Sequence, residues 1–448
     1  MADFKDLRIV VIGAGMGGLG AALAFAKKGF KHIDVYETAS NLGFVGAGIQ
    51  MPPNVLRVLD RLDCWKEIEA EATDVKGSSI RQGSTNVELA SVSMPDVREK
   101  YGFPHLTGHR ASLAGGLYNG CKKESAITFH FSTSVVRVES YSPKPVLTFQ
   151  PRDGEPFQVE ADIVLASDGI KSVTRTQMLA DLGTVSSEED TGQAAYRIML
   201  KRSEMEHDPE MLALLDSDTV VRWIGPQRHI IAYPISNKQI FNISTTQPDT
   251  NFAATTNATY TTRASKKAML NVFADFCPLV QRILDLVPEG EVCEWKLRIH
   301  KPLPTWVHGS VALLGDACHP TLPHLSQGAA MAIEDGAVLA ECVSRVPTDR
   351  LNDPEWIAKA LKVYELLRKP YTSRLVDMAS ESGRGLHLGE GKAKEERDRQ
   401  FRESGKTGSV PDRWASPDVQ KMIYSFDTVQ NARDKFDEVF ASLGAEKA

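Results

Sequence analysis

Leu7 to Ile12 is an unbroken apolar, β-branched run, which predicts a strand buried on both faces. A glycine-rich turn follows. A run of small residues through Lys28 then predicts a helix, and Ile33–Tyr36 predicts a second strand. Together they form a βαβ unit. Pro53–Leu62 and Arg110–Cys121 read as helices. Between Ile127 and Val164 the apolar runs shorten and alternate, as in Val135–Val138 and Val146–Phe149, with turn signals at Ser142-Pro143 and Asp153-Gly154. A β-meander is predicted there. Ile163–Ala166 is again fully apolar and leads into Asp168-Gly169.

From about Gln193 to Pro304 the pattern changes. Val220–Ile224, His229–Tyr233 and Phe241–Thr245 predict an antiparallel sheet, followed by helices over Lys266–Phe276 and Leu279–Leu286. Val311–Leu314 is a core strand, Gln327–Val343 a small-residue helix, and Pro354–Leu386 a long helix with Pro370 as a possible kink. Gly389–Ser409 is highly charged and reads as a loosely ordered, solvated segment. Val419–Leu443 is a final amphipathic stretch. The fold class that follows is α/β. A Rossmann-like domain (1–190 and 305–385), which includes substrate-lining segments near 75–100, is interrupted by an antiparallel-sheet domain (191–304), and a C-terminal charged segment and helix (386–448) close the chain.

Composition changes this picture little. A chain of 448 residues exceeds the ~250–300 at which single cores stop growing, consistent with two domains. Lys plus Arg total 52 against 58 for Asp plus Glu, a net charge of −6, which argues against nucleic acid as the main ligand. Six scattered cysteines without a CxxC pair indicate reduced thiols, not a disulfide scaffold or zinc site. No apolar run reaches the ~20 residues of a membrane span, and the first strand begins too early for a signal peptide. The expectation is a cytoplasmic protein, monomer or homodimer.

Three strand-then-turn motifs carry the chemistry. Gly13, Gly15 and Gly18 stand in a GxGxxG pattern between strand and helix, where they permit a tight turn, close approach of a pyrophosphate and close helix packing. The helix N-terminus favours the phosphates. Glu37, at the end of the next strand, is placed to accept from ribose hydroxyls. Asp168-Gly169 ends a second strand. Gly315-Asp316-Ala317-Cys318-His319-Pro320 ends a third, with Gln327-Gly328 opening a helix behind it. A carboxylate at Asp316 can hold an extended ribityl chain, and the helix N-terminus at Gly328 can stabilise negative charge on a reduced flavin ring.

These motifs (GAGMGG with Glu37, SDGIKSVTR, and GDACHP followed by LPHLSQGAAMAIEDGA) resemble the FAD-dependent aromatic hydroxylases, the single-component flavoprotein monooxygenases. The likeness runs from Leu7 to about Arg374 and is strongest to the salicylate hydroxylase-like branch, particularly its fungal members. It implies that Arg110 lies near the flavin pyrophosphate and ribityl chain. It also implies that Gly46–Asn54, with Gly48, flanks the isoalloxazine, that Asp168 serves both FAD and NAD(P)H, and that Pro320 sits over the flavin. Gly336, where alanine is common in the family, is expected to be without functional consequence. A second GxGxxG behind a strand is absent, so NADH or NADPH is expected to dock transiently.

The implied activity is hydroxylation of a small phenolic acid with O2 through a flavin C4a-hydroperoxide, salicylate to catechol and CO2 being the best single guess. One alternative is a fungal secondary-metabolism monooxygenase acting on a larger aromatic or polyketide. Another is a flavin-binding protein without redox activity. The inserted sheet should roof the pocket. His229 and Tyr233 share one face of a strand, and Ile231 shares it with them. Arg222 or Arg81 could pair with a substrate carboxylate, and His324 could line the pocket. His229 could equally be a satisfied sheet residue, and Arg222 could pair with a structural carboxylate. Tyr196-Arg197 reads as sheet support, and His319, Cys318 and Met331 as structural. No metal is expected, for want of a third ligand near the two histidines.

Overall fold

The protein is described here from a computed structural model, which covers residues 3–43, 47–185, 187–250, 261–263, 265–351, 353–407 and 410–445. Its nucleotide domain is built on a six-stranded sheet. The order is Val307–His308, Val311–Leu313, Ile163–Ala166, Arg8–Ile12, His32–Tyr36 and Ile127–His130. Five of the strands run parallel, with Val10 between Val164 and Asp34. The apolar runs are unbroken because both faces are covered: Ile9, Val10, Val11, Val164 and Leu165 are fully buried.

Helices Met16–Lys27 and Gly328–Val343 cross in close contact on this sheet. Small residues make the approach possible. A Cβ on Gly336 would lie 2.6 Å from the Cα and N of Ala21, so this glycine has a steric reason that its sequence context did not disclose.

The predicted meander divides in two. Ile127–His130 and Ile163–Ala166 join the parallel sheet, whereas Thr133–Ser140, Val146–Pro151 and Phe157–Glu160 form a separate antiparallel sheet. Gly48–Met51, Leu106–His109 and Thr73–Asp74 make a third small sheet, which sets Gly48 opposite His109.

The second large sheet has eight strands. Six come from Glu188–His300, and two, Gly77–Gln82 and Glu88–Ser93, come from the N-terminal part of the chain. They attach through a parallel pairing of Gly77–Gln82 with Thr219–Gly225. The central strands alternate with period two. Val221, Trp223, Ile230, Phe241 and Ile243 pack against Phe273 and Leu284 on one face. Arg222, His229, Ile231, Tyr233, Asn242 and Ser244 point the other way, into a cavity.

The C-terminal segment departs from expectation. Lys392–Thr407 is a helix that packs on the strand Glu88–Ser93, with Phe401 and Arg397 buried. Arg397 donates to the carbonyls of Gly385 and Leu386 and to Asp398. A charge-rich composition hid these anchors; residues 408–409 lie outside the described part. The long helix Pro354–Leu386 runs through Pro370, and Pro417–Tyr424 and Thr428–Ala445 complete the fold. Among the described residues no helix is long and apolar enough to cross a membrane.

Candidate active site

The cavity lies between the two large sheets and has a volume of about 420 Å³. Its nucleotide-side wall begins at the glycine turn. Gly13 has φ +90°, and a Cβ there would lie 2.7 Å from the carbonyl oxygen of Ser167. Gly15 is the N-cap of Met16–Lys27, with no side chain capping it and nothing within 4 Å of where its Cβ would stand. That end of the helix therefore offers uncapped N–H groups and a positive dipole end to the cavity. Gly18 cannot carry a Cβ without striking the backbone of Gly13. Glu37 accepts from the backbone N–H groups of Ala14 (2.7 Å) and Ala39 (2.8 Å), so it sits against the turn.

Asp316 stands on a short turn after Val311–Leu313 and projects into the cavity. Among the described residues it has no hydrogen-bond or ion-pair partner. The surrounding protein pushes its pKa up, against the pull of His319 and Arg110. Gly328 opens the helix behind it, again without a side-chain cap. Arg110 lines the cavity from a third side, and its N–H donates to the carbonyl of Ala47. Gly48 donates to the Asn242 side chain at 2.6 Å, joining the nucleotide domain to the sheet; Gly46 lies outside the described residues.

Two of the residues expected at the flavin lie beside this wall. The Asp168 carboxylate accepts from Ser172 Oγ (2.6 Å), the N-cap of Val173–Asp181, and from the Thr174 N–H (3.0 Å), while Ser167 and Gly169 face the cavity. Pro320 is buried, and Thr321, Pro323 and Ser326 line the cavity in its place. His319, just before it, is held through its Nε2 at 2.6 Å from Asp335. Cys318, His319 and Asp335 do come together, but Asp335 also accepts from Arg368 (2.8 Å) and the Gly315 N–H (3.0 Å), so the group is a structural ion network.

The opposite wall is the polar face of the large sheet. Arg222 lines it, but its guanidinium is buried, paired with Asp412 and set 4.8 Å over the Trp414 ring. The positive charge expected to meet a substrate carboxylate is thus already met within the protein. Arg81 is away from the cavity, bonded to Ser79 and Asn86. Arg197, read from sequence as sheet support, is the guanidinium that faces the cavity. It lies 5.0 Å from the Trp295 ring centre and has no carboxylate partner among the described residues. Burial and neighbouring Arg110 hold its pKa down.

Tyr233 is buried, and that burial raises its pKa, so its hydroxyl stays protonated. His229 and His324 line the cavity with ring centroids 5.3 Å apart. Sequence reasoning missed His387, just beyond Leu386, whose Nε2 lies 2.6 Å from Nδ1 of His229. Burial lowers all three histidines, His229 well below its ordinary value, His324 to about 3 and His387 to about 4. Asn242, Ser244 and Thr246 were missed too, and period-two alternation would have found them; His387 and Asp412 had no local signal.

A family model for an FAD binding domain matches residues 6–379. The chain belongs to the FAD-dependent monooxygenases. Three relatives illustrate its range. An FAD-dependent monooxygenase of Nectria sp is 29% identical over 421 residues, covering 94% of this chain and 93% of the relative. A 3-hydroxybenzoate 6-hydroxylase of Polaromonas naphthalenivorans is 29% identical, covering 85% and 88%. A 6-hydroxynicotinate 3-monooxygenase of Pseudomonas fluorescens is 32% identical, covering 76% and 83%. A solved salicylate hydroxylase substrate complex shares the fold with TM-score 0.77 at 23% identity, covering 96% of this chain and 98% of that one.

The monooxygenase's cavity fits the flavin on its own geometry. Two uncapped helix ends, with a carboxylate at Asp316 and a guanidinium at Arg110 that have no side-chain partner among the described residues, converge on one volume. Arg175 ties the two acidic loops together by donating to the carbonyls of Ala317 and Ile170, at 3.1 and 2.6 Å.

Proposed function

We propose that this FAD-dependent aromatic monooxygenase hydroxylates a small aromatic acid bearing a ring hydroxyl, with NADH or NADPH as reductant. The observation that carries the reading is Arg197, a cavity guanidinium without a carboxylate partner among the described residues, on the same wall as His229 and Tyr233. A fork of this kind suits a carboxylate. The names of the hydroxybenzoate and hydroxynicotinate relatives support a substrate that combines carboxylate and hydroxyl. Salicylate satisfies the same description.

In this reading Gly13, Gly15, Gly18 and Glu37 hold the adenosine and pyrophosphate half of FAD. Asp316 and Arg110 hold the ribityl and pyrophosphate region, and Gly48 and Gly328 border the ring. When bound, FAD supplies the activation and transfer of oxygen. The chain's own residues do the rest. Arg197 anchors the carboxylate, Tyr233 hydrogen-bonds the ring hydroxyl, and His229 takes its proton at Nε2, which makes the ring more electron-rich. The roof of the sheet excludes water.

A second reading, a larger fungal metabolite, draws on the Nectria relative and on an adjoining hollow of about 750 Å³. The hollow shares Arg110, Arg197, Asp316 and Thr321 with the cavity. Steady-state kinetics decide between the two. Under the first reading, 3-hydroxybenzoate or salicylate turns over, 3-hydroxybenzyl alcohol does not, and Arg197→Met raises KM for the acid roughly 10–100-fold. Equal turnover of acid and alcohol, or an unchanged KM in the variant, rejects it.

A further inference from the structure

We propose that His387 is a proton-relay residue that carries the substrate's hydroxyl proton from His229 to solvent. The proposal rests on the reading that a ring hydroxyl is deprotonated at His229, and it adds the route by which the proton leaves.

The geometry is a two-imidazole wire. His229 is buried and lines the cavity, and its Nδ1 lies 2.6 Å from His387 Nε2. His387 is only partly buried, so its other nitrogen can reach water. A neutral imidazole carries one N–H and one acceptor. When the cavity-facing Nε2 of His229 accepts the hydroxyl proton, its Nδ1–H passes to His387 Nε2, and the His387 Nδ1–H passes to water. Phenolate and hydronium are formed, and both rings end neutral in the other tautomer. Reverse passage returns a proton to the product's oxygen and resets them.

The surroundings favour passage over storage. Arg222, His324 and Arg397 are the charged or titratable groups that bear on the pair from neighbouring elements, and Arg222 is held by Asp412. None is an acid that would trap an imidazolium. Both rings are held far below the ordinary histidine value, so neither retains the proton.

The fold also builds this approach deliberately. His387 caps the long helix Pro354–Leu386, and its carbonyl accepts from the Gln227 N–H at 2.9 Å, in the turn before His229. One turn earlier, Gly383 leaves room for the ring of His324. A Cβ there would lie 2.6 Å from Cδ2 and 2.7 Å from Nε2 of that histidine. The helix thus delivers His387 to the strand that carries His229.

Two measurements on FAD-loaded enzyme test the relay. The first needs no substrate. The wild type should show a downfield imidazole N–H in its proton NMR spectrum that exchanges with water and is lost in both H229N and H387Q; absence of that signal from the wild type overturns the proposal. The second follows proton release to a pH indicator when 3-hydroxybenzoate or salicylate is mixed with the enzyme without reductant. His387→Ala should slow release about 10–100-fold, with unchanged flavin content, and added imidazole should restore it. Release as fast as wild type, or a loss that imidazole does not restore, overturns the relay. A wild type that hydroxylates none of these acids counts against the functional reading instead, and the NMR result still decides the relay.

Discussion

Arg222 and Asp412, 190 residues apart, form a buried ion pair that bolts the C-terminal segment onto the roof of the cavity. Asp412 also accepts from Ser382 Oγ at 3.0 Å, and Trp414 lies under the guanidinium. Removing one partner of a buried pair leaves an uncompensated charge. Asp412→Ala should therefore lower unfolding free energy by about 3–5 kcal/mol, read from denaturant midpoints. A change below 1 kcal/mol would show that the pair does not secure the segment.

Gly336→Ala should also destabilise, although alanine is the helix-favouring residue. Its methyl would press on the backbone of Ala21, which does not yield as a flexible side chain does. Overpacking of this kind costs about 1–3 kcal/mol. Thermal unfolding checks this; a raised Tm would contradict the steric account.

How much of this was legible beforehand differs by region. Glycine turns, buried strands and the acid-glycine pairs are local signals, so the α/β fold class could be read from the chain. Period-two alternation placed His229 and Tyr233 on one face. Arg222 shows the limit of that method, because its facing was right and its partner, Asp412, lies in a segment whose charges suggested solvation. His387 was invisible for a similar reason, since a helix end has no pattern that says which strand it meets. For Asp168 and Pro320 the chain discloses the loop but not the direction within it, which neighbouring hydrogen bonds set.

Asp316→Ala should weaken FAD retention, because a cavity carboxylate with no partner among the described residues is placed to meet the ribityl hydroxyls. Loss of a charged hydrogen bond predicts a Kd raised roughly 10–100-fold. The visible flavin absorbance per protein after dialysis reports it. Wild-type flavin content in the variant would remove Asp316 from the cofactor site.

Stability should fall on mild acidification. His324 and His387 are depressed to about 3 and about 4, chiefly by burial, so between the ordinary 6.5 and those values the unfolded chain binds protons that the folded one refuses. Their contribution is complete above pH 6.5 and is lost as pH falls toward 4, by about 1.4 kcal/mol per unit for each proton. Asp335, raised by burial but pulled down further by His319 and Arg368 to about 2, adds a loss below pH 4, and Glu334, raised by burial, partly opposes it. Denaturant midpoints from pH 8 to 4.5 check the first part; a flat profile would contradict neutral buried histidines.

The most direct measurement of the central claim is oxygen labelling. FAD-loaded enzyme is reduced with NADH or NADPH, mixed with a panel of hydroxylated aromatic acids and exposed to oxygen-18 gas, and the products are read by mass spectrometry. The account predicts a ring-hydroxylated product carrying a single labelled oxygen from at least one acid in the panel. Reductant consumption that yields only hydrogen peroxide, with no labelled product from any of them, would contradict it.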